Sequence, residues 1–160
     1  MSTALSLTTR RSLLRLAALT AVPLFAARQS TAAGAAANLP PVVMWKDPNC
    51  QCCEGWAEHM RQAGFPVITT RTYDMTTIKR LRGVPDDLIS CHTALIDGYT
   101  IEGHVPAQDI LRLNTERPRA KGLASPGMPP AAPGMAGGTA EPYTVLLFGG
   151  PDGTRPFAQH

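Results

Sequence analysis

The chain has 160 residues, 44% of them hydrophobic, enough for one domain with a modest core that does not depend on disulfides to fold. Its formal charge of +3 comes from the N-terminus: Arg10, Arg11, Arg15 and Arg28 precede the first acidic residue, Asp47, and without them 11 basic residues face 12 acidic ones. A chain that close to neutrality has no electrostatic reason to bind nucleic acid or an anionic membrane.

Residues 1–37 read as an export signal. Arg10, Arg11 and Arg15 form the charged region, and Leu16–Ala27 is apolar apart from Thr20. Those 12 residues are too few for a membrane span, which needs about 20. Ala-x-Ala cleavage sites end at Ala35 and Ala37. The segment "TRRSLLR" (Thr9–Arg15) resembles the bacterial twin-arginine signal, which implies export of an already folded protein. The expected mature protein is therefore periplasmic, spans residues 38–160 and has no stable membrane insertion. Disulfides can persist in that compartment.

In the mature chain, Val42–Lys46 ("VVMWK") predicts a buried strand. Asp47-Pro48-Asn49 breaks it, and Asn49 is a candidate cap for a helix from about Cys52 to Ala63. Cys53, Trp56, Ala57 and Met60 mark that helix's inner face, and Gly64 and Pro66 end it. Val67–Tyr73 predicts a second strand. Asp74 caps a short helix to about Arg82, and Pro85–Leu88 adds one further helical turn. Thr93–Ile96, Asp97-Gly98 and Tyr99–Glu102 predict a hairpin with a two-residue turn. A helix then starts near Pro106, with Ala107, Ile110, Leu111 and Asn114 on one face.

Residues 117–142 are rich in Pro, Gly and Ala and show neither helical nor strand period. A clear strand, Tyr143–Phe148, follows, so the long loop is expected to return to the domain as a covering flap. The terminus beyond "GGPDGT" is expected to fray. The βαβ start followed by a hairpin and a helix predicts an α/β, thioredoxin-like domain, a mixed central sheet with helices on both faces.

Cys50, Cys52 and Cys53 crowd the start of the first helix, and Cys91 follows 38 residues later. Cys50 and Cys53 have the C-x-x-C spacing of thiol redox proteins, and the helix N-terminus favours thiolate there. Cys52 is a third thiol that a dithiol exchanger does not require. Four sulfurs suit a soft metal such as Cu(I) or Zn(II), although the spacing is not that of a zinc ribbon. Three readings stand on the residues alone: a soft-metal site, a thiol redox site with Cys50 and Cys53 as its catalytic pair, or two structural disulfides.

"CQCC" (Cys50–Cys53), "SCHT" (Ser90–Thr93), "EGHVPA" (Glu102–Ala107) and "GMPPAAPGM" (Gly127–Met135) together resemble the CopG-type family of small exported bacterial proteins associated with copper resistance. This family is unrelated to the ribbon-helix-helix repressors of the same name. The resemblance runs from about Val42 to Phe148. It implies a thioredoxin-like fold whose Cys-x-Cys-Cys motif and fourth cysteine bind copper and support its interconversion between Cu(II) and Cu(I). In the loop, Ala131-Ala132 stands where the resemblance leads one to expect Gly-Ser, and both methionines are kept.

Cys50, Cys52, Cys53 and Cys91 are thus the expected metal ligands, with copper favoured over zinc. His104, Met128 and Met135 join them as candidates, since imidazole and thioether suit copper. A hydrogen-bonded structural histidine and apolar flap anchors are the alternatives for these three. Adjacent strand residues face opposite sides, so Cys91 rather than His92 is expected to face the cysteine motif. His59 is expected to be solvated, and His160 carries no signal. Expected partners are copper ions and other exported copper-handling proteins, with the protein itself a monomer.

Overall fold

The computed structural model describes residues 39–136 and 141–160; the export signal and its cleavage sites lie outside them. The described chain builds strands β1 (Val42–Lys46), β2 (Val67–Arg71), β3 (His92–Ile96), β4 (Tyr99–Glu102), β5 (Gly122–Ala124), β6 (Thr144–Gly150) and β7 (Gly153–Gln159). Helices α1 (Gln51–Gln62), α2 (Met75–Arg82) and α3 (Ala107–Glu116) interrupt them, with a 3-10 turn at Asp86–Leu88. The strands form one mixed sheet in the order β2-β1-β3-β4-β5-β6-β7. β1 pairs parallel with β2 and antiparallel with β3, the expected thioredoxin-like α/β arrangement.

Period-2 alternation sorts the sheet's two faces. Val42 and Met44 of β1 align with Ile96 and Ala94 of β3. With Ile101, Leu123 and Leu147 they form the main core, closed by Trp56 and Met60 of α1 and Ile110 and Leu113 of α3. The opposite face carries a smaller cluster of Leu88, Ala124 and Phe148. α2 covers that face too: Arg82 stacks over the Trp45 ring, and Lys79 reaches Thr93.

Local signals hold in most places. Asp74 accepts a hydrogen bond from the Thr77 amide and caps α2, and Gly83 ends it in the left-handed conformation. Asp97 and Gly98 both take positive φ, as a two-residue hairpin turn requires. In α3, Leu113 rather than Leu111 joins the buried face, and Leu111 is exposed.

Two expectations fail in the C-terminal third. Residues 117–142 contain a strand, β5, too short to show a period and dependent on its neighbours for every ladder bond. The terminus does not fray either. β7 pairs along β6 and buries Phe157 in the core. β5 fits only because Gly122 has no side chain, since a Cβ there would overlap the Thr100 carbonyl oxygen of β4. We expect Gly122→Ala to push β5 off β4 and to lower unfolding free energy by about 1–3 kcal/mol. A fall in the urea midpoint at unchanged slope would measure this.

Candidate metal centre

Lys46 is the last residue of β1 and is fully buried. Its ammonium donates to the carbonyls of Asp47 at 3.0 Å and Pro48 at 3.4 Å, and pairs with Glu54 at 3.2 Å. This fixes the turn that delivers the chain into α1. Asn49 is not the cap: its amide donates to the Asp47 carboxylate, and Cys50 takes the N-cap position. The helix thus begins directly on the cysteine motif, with no side chain capping its free amides.

Cys50 and Cys53 are paired as a disulfide, their Cα atoms 5.5 Å apart, while Cys52 and Cys91 carry free sulfurs. The Cys52 sulfur lies 3.5 Å from that of Cys50. All four sulfurs fall within 4.8 Å of one another. Cys53 is buried in the core, and the other three are half-buried.

Cys91 also belongs to a second group, with His92 and His104, whose donor atoms again lie within 4.8 Å of one another. His104 Nε2 sits 2.9 Å from the Cys91 sulfur, and Nδ1 sits 2.7 Å from the Pro133 carbonyl oxygen. A carbonyl only accepts, so Nδ1 carries the proton and Nε2 turns its lone pair to Cys91. His92 Nδ1 is 3.4 Å from the same sulfur, and its buried Nε2 has no hydrogen-bond partner. The His92 ring packs against Trp56 and edge-on to His104.

Both histidines are completely buried, and burial holds their pKa values below the usual imidazole range, well below for His92. Burial, reinforced by the neighbouring Cys52, pushes the Cys91 thiol up to about 12. Burial thus favours the uncharged forms of Cys91 and of both histidines, and the site presents soft sulfur and imidazole donors. That donor set suits a soft or borderline cation and offers nothing to a hard one.

The structure brings Cys50, Cys52, Cys53 and Cys91 together and places His104 beside Cys91. Met128 is exposed and lines an open cleft of about 250 Å³ that also contains Cys91. Met135 is half-buried and follows Gly134, which lies against the backbone of Cys52, Gly55 and Trp56. The flap thus does cover the start of α1.

The histidines take different places, and one expectation, that for His59, is corrected. Cys91 groups with the three cysteines of the motif, whereas His92 groups only with Cys91 and His104. Cys91 and His92 touch because Cys91 precedes β3, outside the strand's alternation. The serine-cysteine-histidine run was the available signal. His59 is not simply solvated: its Nε2 accepts the Ala107 amide at 3.0 Å, a role that Pro106 cannot fill as N-cap of α3. His160 pairs with Asp109 at 2.7 Å and stacks on Tyr143. No helix among the described residues is long and apolar enough to cross a membrane.

Residues 88–135, which hold Cys91, His92, His104 and the flap, match a family described as "Protein of unknown function, DUF411". Two solved structures, described as copper resistance protein copG in forms 1 and 2, are each 40% identical to the chain. Each match covers 76% of this chain and 98% of the other, with a TM-score of 0.71. The chain belongs to the CopG family. Among curated proteins, none matches it. The CopG match extends well beyond the 88–135 segment, as it must to include the Cys50–Cys53 motif.

The neutral donors make metal-free stability depend on pH. His59, His92 and His104 all have lowered folded-state pKa values, so below about pH 6.5 the unfolded chain binds more protons than the folded one. Stability should fall as pH drops from 7.5 to 5.5. Cys91 acts with the opposite sign. Its raised pKa means that the unfolded chain loses its proton first, near pH 9, so stability should also fall above that pH. Urea midpoints across pH 5–10 would trace a plateau between the two declines.

Proposed function

We propose that the protein is an exported copper-binding protein of copper resistance, with Cys50, Cys52, Cys53 and Cys91 as its copper ligands. The observation that carries this reading is the convergence of four sulfurs within 4.8 Å at the start of α1. His104 joins them as an imidazole donor. Met128 and Met135 serve as thioether donors from the flap. Residues 1–37 direct export to the periplasm by the twin-arginine route, leaving 38–160 as a single metal-binding domain.

Thiol redox is coupled to copper in this reading. Two thiols, Cys50 and Cys53, each give one electron to one Cu(II), producing two Cu(I) and the disulfide. Their two protons leave to solvent. Reversal regenerates the dithiol and returns copper to Cu(II). The Cys50–Cys53 pairing supports this assignment, since these two sulfurs reach bonding distance while Cys52 and Cys91 stay unpaired. Thiolates favour Cu(I), and imidazoles accept either state, so His104 keeps a donor at the site after the disulfide forms.

The same disulfide at a helix start favours one other reading, a thiol–disulfide oxidoreductase acting on exported proteins. That activity requires Cys50 and Cys53 but neither Cys52 nor Cys91. Anaerobic Cu(I) titration of the reduced mature protein separates the two. We expect Cys52→Ser and Cys91→Ser each to weaken Cu(I) binding by at least about 100-fold, beyond the range typical of outer-shell changes. Unchanged affinity and stoichiometry in both, with catalysed reduction of a model disulfide, would establish the oxidoreductase instead.

A further inference from the structure

Glu102 is the last residue of β4 and is completely buried. Its Oε1 accepts from Lys79 Nζ at 2.5 Å and from the Ser90 amide at 2.7 Å. Its Oε2 accepts from the Thr93 hydroxyl at 2.7 Å, and Lys79 also donates to that hydroxyl at 3.2 Å. Thr93 is already the register partner of Glu102 in the β3–β4 ladder.

Fold stability alone gives little reason for this arrangement. Two ions are withdrawn from water to join strands that the ladder already joins, and a well-packed apolar pair commonly does as well. The bond to Ser90 goes further, because Ser90 lies outside the strands and directly precedes Cys91. Ser90 is held from two other sides. Its hydroxyl donates to the Gly127 carbonyl at the start of the flap, and Gly103, at φ 72°, leaves no room for a Cβ beside it.

We propose that the buried Glu102–Lys79 pair is a positioning device for Cys91. Lys79 neutralises and orients the carboxylate. The carboxylate holds the Ser90 amide, and that bond sets where the Cys91 sulfur stands relative to the Cys50–Cys53 motif. Because Ser90 also holds Gly127, the same device fixes the root of the flap beside Met128. The inference rests on Cys91 being a copper ligand.

Glu102→Leu alone would leave a buried, unpaired ammonium, so the test uses the double variant K79M/E102L. E102D, which keeps the charge but shortens the reach to Ser90, guards against misfolding of the double variant. Both are expected to bind Cu(I) 10–100-fold more weakly in anaerobic titration and to lose thiolate-to-copper charge-transfer intensity. In the metal-free proteins, alkylation of Cys91 should change in rate while that of Cys52 does not. K79M/E102Q restores an acceptor for the Ser90 amide and is expected to recover affinity and spectrum. Lower thermal stability with unchanged affinity, spectrum and Cys91 alkylation would overturn the proposal. The control is Cys91→Ser. If that variant itself binds copper normally, the ligand assignment fails; if it binds weakly while E102D and K79M/E102L bind normally, the positioning role fails.

Discussion

The antiparallel pairing of β1 with β3 is the contact on which the site depends. Its register sets Lys46 opposite His92. The end of β1, which leads into the cysteine motif, therefore lies beside the start of β3, which Cys91 precedes. Thirty-eight residues of sequence collapse to a few ångströms through five ladder positions. No local preference near Cys91 would place it there. Slipping the register by one residue would turn Met44 and Ala94 out of the core, so core packing enforces the geometry of the site.

Protons are the second constraint. Burial disfavours both the Cys91 thiolate and the charged imidazoles of His92 and His104. A cation arriving at Cys91 must displace a proton from a thiol whose pKa is raised to about 12. Affinity measured at one pH therefore contains that proton's cost and rises with pH. Lys46 contributes here through structure: its buried ammonium is tied to the Asp47 and Pro48 carbonyls and to Glu54, where it holds the turn into α1.

Much of this was legible in the sequence because it is local. The inner face of α1, the Asp74 cap and the Asp97-Gly98 turn each follow from residues within a few positions of one another. β5 was not legible, since three residues cannot show a period and Gly122 is there for what it lacks. β7 has one strongly buried side chain, Phe157, and an otherwise exposed pattern, so its composition resembles a tail. The contact between His92 and Cys91 was not legible, because Cys91 precedes β3 and strand alternation does not govern it. His59 illustrates a broader limit: its partner is an amide 48 residues away, left uncapped by a proline.

The flap joins these threads. Its sequence suggested two methionine ligands, yet the contacts that define its position are backbone contacts. The Pro133 carbonyl fixes the tautomer of His104, and Gly134 lies flat on Gly55 and Cys52 because neither glycine has a side chain to intervene. Ala132 is buried, its amide donates to the Pro129 carbonyl and its carbonyl accepts from the Met135 amide, so the Ala131-Ala132 pair still provides a closed turn where Gly-Ser was expected. A segment rich in Pro and Gly is therefore held by the site it covers. Its Pro133 carbonyl directs the His104 lone pair toward Cys91, while the buried Glu102 fixes Ser90 and thereby the root of the flap. The imidazole and the sulfur are thus oriented from opposite ends of one loop, which makes the flap part of the centre whether or not its thioethers touch metal.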